Sequence, residues 1–235
     1  MKPIAKTILY LTVFSIAMGY LETSVVVYLR KIYYPDGFKF PLVPVSCGFA
    51  VTEFWREAAT IIMLITAGIM AGRNNLQRFA FFIYSFAVWD IFYYVFLKVL
   101  LNWPESLFTW DILFLIPVPW AGPVIAPCIV SLTMILLALV IILNQEKGKI
   151  AGITFFEWLL FILGSLTSIA SFMWDYIMYV AVNGSGKVVW TLSSNNPMFE
   201  EVSRYIPLHF NWPMFLFAEG IMLSAILFII KRLKS

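Results

Sequence analysis

Six long apolar runs alternate with shorter polar segments along the chain. A helix needs about 20 mostly apolar residues to cross the hydrocarbon core of a bilayer, and each run comes near that length. The runs predict membrane-spanning helices at about 7–29, 54–72, 78–101, 121–144, 153–182 and 212–231. The predicted fold is therefore an all-α integral membrane protein, with residues 1–235 forming a single domain built as a bundle of six transmembrane helices.

The segment between the third and fourth runs has a different pattern. Its sequence is NWPESLFTWDILFLIPVPWAGP, and its apolar part is too short and too rich in proline for a spanning helix. Trp103, Trp110 and Trp120 lie within it, and tryptophan rings favour the headgroup level of a bilayer. We predict an interfacial or re-entrant segment here.

Composition supports the membrane class and reduces the number of functions that the chain could have. The chain is 62% hydrophobic and 12% charged, against roughly 45–50% and 25% in soluble domains. The net charge of +3 is small and the basic residues lie at the ends of apolar runs, so no nucleic-acid partner is expected and the lipid bilayer is the main partner. Two cysteines without C-x-x-C spacing and a single histidine give no reason to expect a zinc or haem site.

Basic residues predict the orientation of the bundle, because they are enriched in short cytoplasmic segments. With the amino terminus inside, nine lysines and arginines and one acid, Glu146, fall in the inner segments. The nine are Lys2, Lys6, Arg73, Arg78, Lys147, Lys149, Lys231, Arg232 and Lys234. Both termini are predicted to be cytoplasmic, and the short loops favour a bacterial inner membrane.

A cleavable signal peptide is the alternative interpretation of the first run. Lys2 and Lys6 precede an apolar core, and the small residues Ala17 and Gly19 follow it. However, the apolar run resumes after Glu22 with SVVVYL and reaches spanning length. We therefore expect an uncleaved first helix.

Acidic residues inside the predicted spans fall at one depth. Counting 1.5 Å per residue along each helix places them roughly 10–15 Å below the predicted outer surface. The acids in this layer are Glu22, Glu57, Asp90, Asp175 and Glu219. Arg56 is the cation that accompanies them inside a span.

This layer carries more negative charge than a membrane interior tolerates. A charged side chain at the centre of a bilayer costs about 2.5–3.5 kcal/mol even on a lenient scale. Five acids and one arginine would give a charge of −4 (five minus one) if all were ionised. Shared protons, a bound cation, a cationic ligand or water must offset that surplus. We predict a ligand- or ion-binding site formed by Glu22, Arg56, Glu57, Asp90, Asp175 and Glu219.

Two of these acids share a short motif. Trp-Asp-x-x-x-Tyr-Val occurs at 89–95 and again at 174–180, which indicates either an internal duplication or chance similarity in an aromatic-rich chain. The aromatic side chains of the motif are predicted to support the carboxylates. They are Trp89, Tyr94, Trp174 and Tyr179. In a purely structural interpretation, these contacts specify helix packing and nothing more.

His209 lies just before the sixth run, on the predicted outer side. It is a candidate proton relay above the carboxylates, or an ordinary interfacial side chain. If a metal binds, carboxylate oxygens favour a hard divalent cation such as Ca²⁺, Mg²⁺ or Mn²⁺.

Three functions fit this pattern. The leading hypothesis is a transporter or ion-binding protein that takes a cation or cationic small molecule and exchanges protons. The second is an intramembrane enzyme that uses two carboxylates as acid and base on a lipid near the outer leaflet, with its catalytic residues unassigned. The third is an accessory subunit whose buried charges pair with another membrane protein.

Overall fold

The computed structural model describes residues 4–43, 47–114, 118–149, 152–183 and 204–234. Within these ranges there are six long helices, each apolar enough to cross a membrane. They are α1 Ile4–Tyr33, α2 Cys47–Ala71, α3 Asn75–Leu101, α4 Ile125–Glu146, α5 Phe155–Asn183 and α6 Trp212–Lys234. The prediction of a helical bundle with six helices of spanning length is confirmed for this part of the chain.

Side-chain hydrogen bonds define the starts of α3 and α5. Asn74 caps α3, since its side-chain oxygen accepts from the backbone N–H of Gln77 at 2.9 Å. At the start of α5, the Glu157 carboxylate accepts from the Thr154 N–H at 2.7 Å and the Thr154 hydroxyl accepts from the Glu157 N–H at 3.3 Å. This reciprocal capping box satisfies two backbone donors that a helix start otherwise leaves free.

The segment between α3 and α4 forms a two-stranded antiparallel ribbon, β1 Trp110–Phe114 and β2 Trp120–Pro123. The predicted fourth span therefore starts too early, because residues 120–123 pair with β1 before the helix begins. Pro127 is tolerated because it lies in the first turn of α4, where its missing N–H removes no helical hydrogen bond. An interfacial or re-entrant position of the ribbon in the bilayer stays a prediction.

Consecutive helices run in opposite directions, and α3 lies at the centre of the bundle. It packs against α1, α2 and α4, while α6 joins α4 to α5. In the most apolar stretch of α3, 56% of residues are buried, against 17% in α2. The peripheral α2 is thus held mainly by its contact with α3.

Glycines allow close approach at three helix crossings. A Cβ on Gly19 of α1 would lie 3.1 Å from the Trp89 carbonyl oxygen on α3, and one on Gly68 of α2 would lie 2.8 Å from the Arg78 carbonyl oxygen. A Cβ on Gly164 of α5 would lie 2.5 Å from a side-chain carbon of Met222 on α6. Small residues at such crossings let helix backbones pack tightly where lipid offers no hydrophobic driving force.

The two ends of the bundle differ in character. Near the chain termini, a large apolar cluster joins α1, α3, α4 and α6 through residues such as Leu11, Phe81, Ile142 and Ile229. The other end, which carries the ribbon, is called the ribbon end below. Five carboxylates and Arg56 line a cavity at the ribbon end together with residues of both strands.

Candidate functional site

A cavity of about 270 Å³ lies beneath the ribbon. Side chains from all six helices and from both strands line it. Five carboxylates contribute to the lining, and they come from four separate elements. They are Glu22 of α1, Glu53 and Glu57 of α2, Asp90 of α3 and Asp111 of β1.

Arg56 neutralises part of this charge by binding two of the acids. Its Nε donates to Oε2 of Glu53 at 2.9 Å, and its Nη2 donates to the other oxygen of the same carboxylate. Its Nη1 donates to Glu22 on the neighbouring α1. The bidentate pair with Glu53 fixes the guanidinium plane, and the bond to Glu22 ties α2 to α1 at the wall of the cavity.

Asp90 and Glu57 have no such basic partner. Oδ2 of Asp90 accepts a hydrogen bond from Ser131 Oγ at 2.8 Å, and the residue is half-buried. No lysine, arginine or histidine among the described residues forms an ion pair with Asp90 or with Glu57. Both carboxylates line the cavity and can accept further hydrogen bonds or a positive charge from a ligand.

Asp111 forms an ion pair with Arg30, which does not itself line the cavity. Nη2 of Arg30 lies 3.3 Å from Oδ1 of Asp111. The guanidinium carbon of Arg30 lies 3.7 Å from the ring centre of Trp103 and 4.4 Å from that of Phe38, so the cation is enclosed by aromatic faces. Burial raises the pKa of Asp111, and Arg30 opposes that rise. This buried pair attaches the ribbon to α1.

The cavity keeps a surplus of negative charge after both arginines are counted. Five lining carboxylates and two arginines give −3 (five minus two) if all are ionised. Charges of one sign this close together in a poorly solvated site repel strongly. Protons, a bound cation or water must therefore accompany the carboxylates.

Aromatic side chains form much of the remaining wall. Phe86, Trp89, Tyr93 and Tyr94 line the cavity from α3, and Trp120 lines it from β2. The indole nitrogens of Trp89 and Trp120 are buried and have no hydrogen-bond partner among the described residues. The wall therefore offers aromatic faces and unused N–H donors beside the carboxylates.

The helices α2 and α5 both line the cavity without packing closely against each other. Close packing holds α2 to α3 and holds α5 to α6 and β2, but the described residues form no comparable contact between α2 and α5. Ile61 of α2 and Ser165 of α5 both line the cavity, and Ser165 is an exposed residue. We call the space between these two helices the α2–α5 gap.

The structure does not bring Asp175 to the cavity. Its carboxylate accepts from the Tyr205 hydroxyl at 2.8 Å and from the backbone N–H groups of Leu208 and His209, both at 3.1 Å. Asp175 thus attaches the segment before α6 to α5. His209 takes part through its backbone while its side chain is exposed, so the proton-relay hypothesis has no support from this geometry.

The two copies of the Trp-Asp motif have different surroundings. Trp89 and Tyr94 are buried and line the cavity, and their support of Asp90 stays a prediction. Trp174 is 42% exposed, and Tyr179 packs against Tyr205 at a ring-centre distance of 5.4 Å. The second copy therefore belongs to an aromatic cluster outside the cavity.

Glu219 also lies outside the cavity lining. It is buried between α4 and α6, where Oε2 accepts from the Thr133 hydroxyl at 2.7 Å. Its Oε1 has no partner among the described residues. Met222, one helical turn further along α6, does line the cavity, so Glu219 is adjacent to the site without forming part of it.

Three charged residues of the site were not among the predicted ones. Glu53 lies three residues before Arg56, a spacing that places both on one helix face. Asp111 follows Trp110, which makes a third Trp-Asp pair in the chain. Arg30 lies near the end of α1, where the sequence alone indicates an ordinary interfacial cation. Its pairing with Asp111 becomes apparent only in the structure, where the ribbon packs against it.

The described residues offer no ready metal centre. No three histidine, cysteine, aspartate or glutamate side chains among them are grouped closely enough to hold a metal ion. Ca²⁺ takes six to eight oxygen ligands and Mg²⁺ requires near-octahedral geometry. The hard divalent cation that the sequence allowed thus finds no ligand set in this part of the chain.

Comparisons with known proteins do not indicate a function for this chain. No protein-family model, curated protein or solved structure matches this chain. The chemistry of the cavity is therefore the best indication of a function.

The role of Asp175 can be tested separately from the cavity. We expect Asp175→Asn to weaken attachment of the 205–209 segment, because an amide offers one acceptor oxygen where the carboxylate offers two. The loss should be about 1–3 kcal/mol of unfolding free energy, and Tyr205→Phe, which removes one hydrogen bond, should cost about 1 kcal/mol. Thermal unfolding and amide exchange at Leu208 and His209 measure the change.

Amide exchange in the helices that contribute most of the cavity lining is expected to equal that of the wild type, because Asp175 does not line the cavity. Faster exchange throughout those helices would contradict a local role for Asp175.

Proposed function

We propose that this protein is a membrane transporter that binds a cationic solute in the acidic cavity and exchanges it for protons. The observation that carries the proposal is that Asp90 and Glu57 form no ion pair among the described residues, in a cavity whose acids outnumber the nearby arginines. A bound cation would offset the surplus charge. In its absence, protons on the carboxylates would do so.

Asp90 is the proposed anchor of the solute. Ser131 holds one of its carboxylate oxygens and leaves the other available for an ion pair with the solute. Glu57 is the proposed second contact. Because cation and proton stabilise the same carboxylates, binding of one favours release of the other, and this competition is the basis of the exchange.

Arg56, with Glu22 and Glu53, is proposed as a gate at the mouth of the cavity. The three side chains join α1 to α2, and α2 is the helix with the least burial in the bundle. A movement of α2 that separates Arg56 from Glu22 would open the mouth. In this proposal the ribbon end faces outward and both termini lie in the cytoplasm of a bacterial cell, as the basic residues predict.

Reconstituted protein in liposomes tests the proposal. The probes are Na⁺, Ca²⁺, tetramethylammonium and decyltrimethylammonium, the last at micromolar concentration, with an internal pH-sensitive dye as the readout. In protein-containing liposomes, we expect at least one probe to drive saturable proton movement in the direction opposite to its own. In empty liposomes, we expect no probe to do so. Absence of proton movement with every probe would contradict proton exchange.

An intramembrane enzyme acting on a lipid is the second candidate. The α2–α5 gap favours it, because a lipid could reach Asp90 and Glu57 from the bilayer through that opening. The enzyme hypothesis predicts new lipid products in protein-containing liposomes, detected by mass spectrometry and lost in Asp90→Asn. Transport predicts an unchanged lipid composition.

A further inference from the structure

We propose that the solute is an amphipathic organic cation, an ammonium group on an apolar body, which enters the cavity from the bilayer through the α2–α5 gap. This inference rests on the proposed function and specifies the substrate class of the same site. It concerns two properties that the proposed function leaves open. These are the route to Asp90 and the chemistry that the cavity accepts.

The gap lies at hydrocarbon depth. At 1.5 Å per residue, Ile61 lies roughly 21 Å from the start of α2 and Ser165 roughly 15 Å from the start of α5. These helices have 25 and 29 residues, so both positions are in the middle part of a span. A molecule that passes between them comes from the acyl-chain region rather than from water.

The rim of the gap is apolar. Ile65 on α2 is 40% exposed, and Ile162 on α5 is 52% exposed. A small inorganic ion would have to lose its hydration shell to pass such a rim, which is costly. An amphipathic cation is already dissolved in the bilayer with its apolar part, so it reaches the rim without that cost.

The interior of the cavity matches an ammonium group. Asp90 supplies a carboxylate that forms no ion pair among the described residues, and Trp89, which is 9% exposed, supplies an aromatic ring. The buried indole N–H of Trp89, which has no partner among the described residues, can donate only to an acceptor atom elsewhere on the solute. Tyr93, Tyr94 and Trp120 add further aromatic rings to the lining. Cation–π attraction adds to the ion pair when the cation lies within about 6 Å of a ring centre.

The rest of the lining suits an apolar body and disfavours phosphate. Val130 and Met134 of α4, Ile169 of α5 and Met222 of α6 line the cavity. A phosphate group would face the surplus of carboxylates, because Arg56 and Arg30 are already paired with acids. The cavity should therefore prefer a simple amphipathic ammonium over a phospholipid headgroup that carries both ammonium and phosphate.

Equilibrium binding to nanodiscs that contain the protein, corrected with empty nanodiscs, tests the substrate class. The probes are decyltrimethylammonium, tetramethylammonium and decylphosphocholine, which share the quaternary ammonium but differ in chain and phosphate. We expect decyltrimethylammonium to bind at least tenfold more tightly than each of the other two. Equal or tighter binding of decylphosphocholine would assign the site to a lipid headgroup and overturn the inference.

Bulky substitutions at the gap test the route. Ser165→Trp should slow association of decyltrimethylammonium at least tenfold, whereas Leu166→Trp places the same side chain on the lipid-facing side and should leave the association rate unchanged. Ile61→Trp, with Ile62→Trp as its control, repeats the test from the opposite wall. Thermal unfolding of each variant and of its control checks that both proteins in a comparison are folded.

The outcomes separate this inference from the proposed function. One outcome is that Na⁺ or tetramethylammonium shows saturable binding that requires Asp90 but is unchanged by Ser165→Trp and Ile61→Trp in its affinity and rate. That result would overturn entry from the lipid and would leave the proposed cation site standing. No saturable binding of any cation would remove both proposals.

Discussion

Asp90→Asn is expected to lower the affinity for the cationic solute about 100-fold and to abolish cation-driven proton movement at moderate solute concentration. The substitution keeps the size of the side chain and removes the negative charge that faces the cavity. Truncation of one partner in a buried charge contact costs about 2–5 kcal/mol, and 100-fold corresponds to about 2.7 kcal/mol. Equilibrium binding to nanodiscs measures the change.

Ser131→Ala is the matched control for Asp90→Asn. It removes the hydrogen bond to Oδ2 of Asp90 and keeps the carboxylate, so the affinity should fall only about fivefold, equivalent to about 1 kcal/mol. If Asp90→Asn bound the cation as tightly as the wild type does, the anchor would have been assigned to the wrong residue.

Arg56→Gln is expected to have the largest effect on stability. Without the guanidinium, Glu22 and Glu53 would face each other near Glu57 with no cation between them. Loss of one partner of a buried ion pair costs about 3–5 kcal/mol, and the partial exposure of Arg56 places the expected loss near the lower value. Thermal or denaturant unfolding in mild detergent measures the change.

Compensating changes provide the control for Arg56→Gln. Addition of Glu22→Gln and Glu53→Gln removes the unpaired charges and should restore most of the lost stability. Arg56→Lys should be intermediate, because a lysine ammonium cannot form the bidentate pair with Glu53. An Arg56→Gln protein with wild-type stability would show that the acids are already neutralised in another way.

The sequence predicts a similar depth for the acidic residues because helix rise is constant, and their depth in a bilayer stays a prediction. Counting from the ribbon-end helix termini places Glu22, Glu57 and Asp90 roughly 15–17 Å deep, and Asp175 and Glu219 roughly 10–12 Å deep. Which of them meet depends on how each helix is rotated and which helices are neighbours. Hydrophobic pattern specifies this poorly in a membrane, where lipid-facing and buried surfaces are both apolar.

Asp90 and Asp175 illustrate this difference. They share the Trp-Asp-x-x-x-Tyr-Val motif, yet Asp90 is on the central α3 and faces the cavity, whereas Asp175 is on the peripheral α5 and binds the 205–209 segment. A local motif specifies which side chains are neighbours on one helix. It contains no information about the segment that the helix face will contact.

The ribbon was missed for a related reason. Trp120 to Pro123 continues directly into the apolar α4, so its apolar residues extended the predicted span. Gly122 is required there by contact rather than by turn geometry, because a Cβ would lie 2.8 Å from the ring of Phe172. That contact brings β2 onto α5, and pairing with β1 places Asp111 over Arg30. Neither consequence is visible in the periodicity of the chain.

The location of the bound cation tests the central claim most directly. Crystals of the protein soaked with decyltrimethylarsonium, in which arsenic replaces the ammonium nitrogen, would locate the cation by anomalous scattering. We predict an arsenic peak inside the cavity, beside the carboxylate of Asp90 and within about 6 Å of an aromatic ring centre, and no peak in Asp90→Asn crystals. A peak elsewhere on the protein, or one that persists in Asp90→Asn, would contradict a cation site at Asp90.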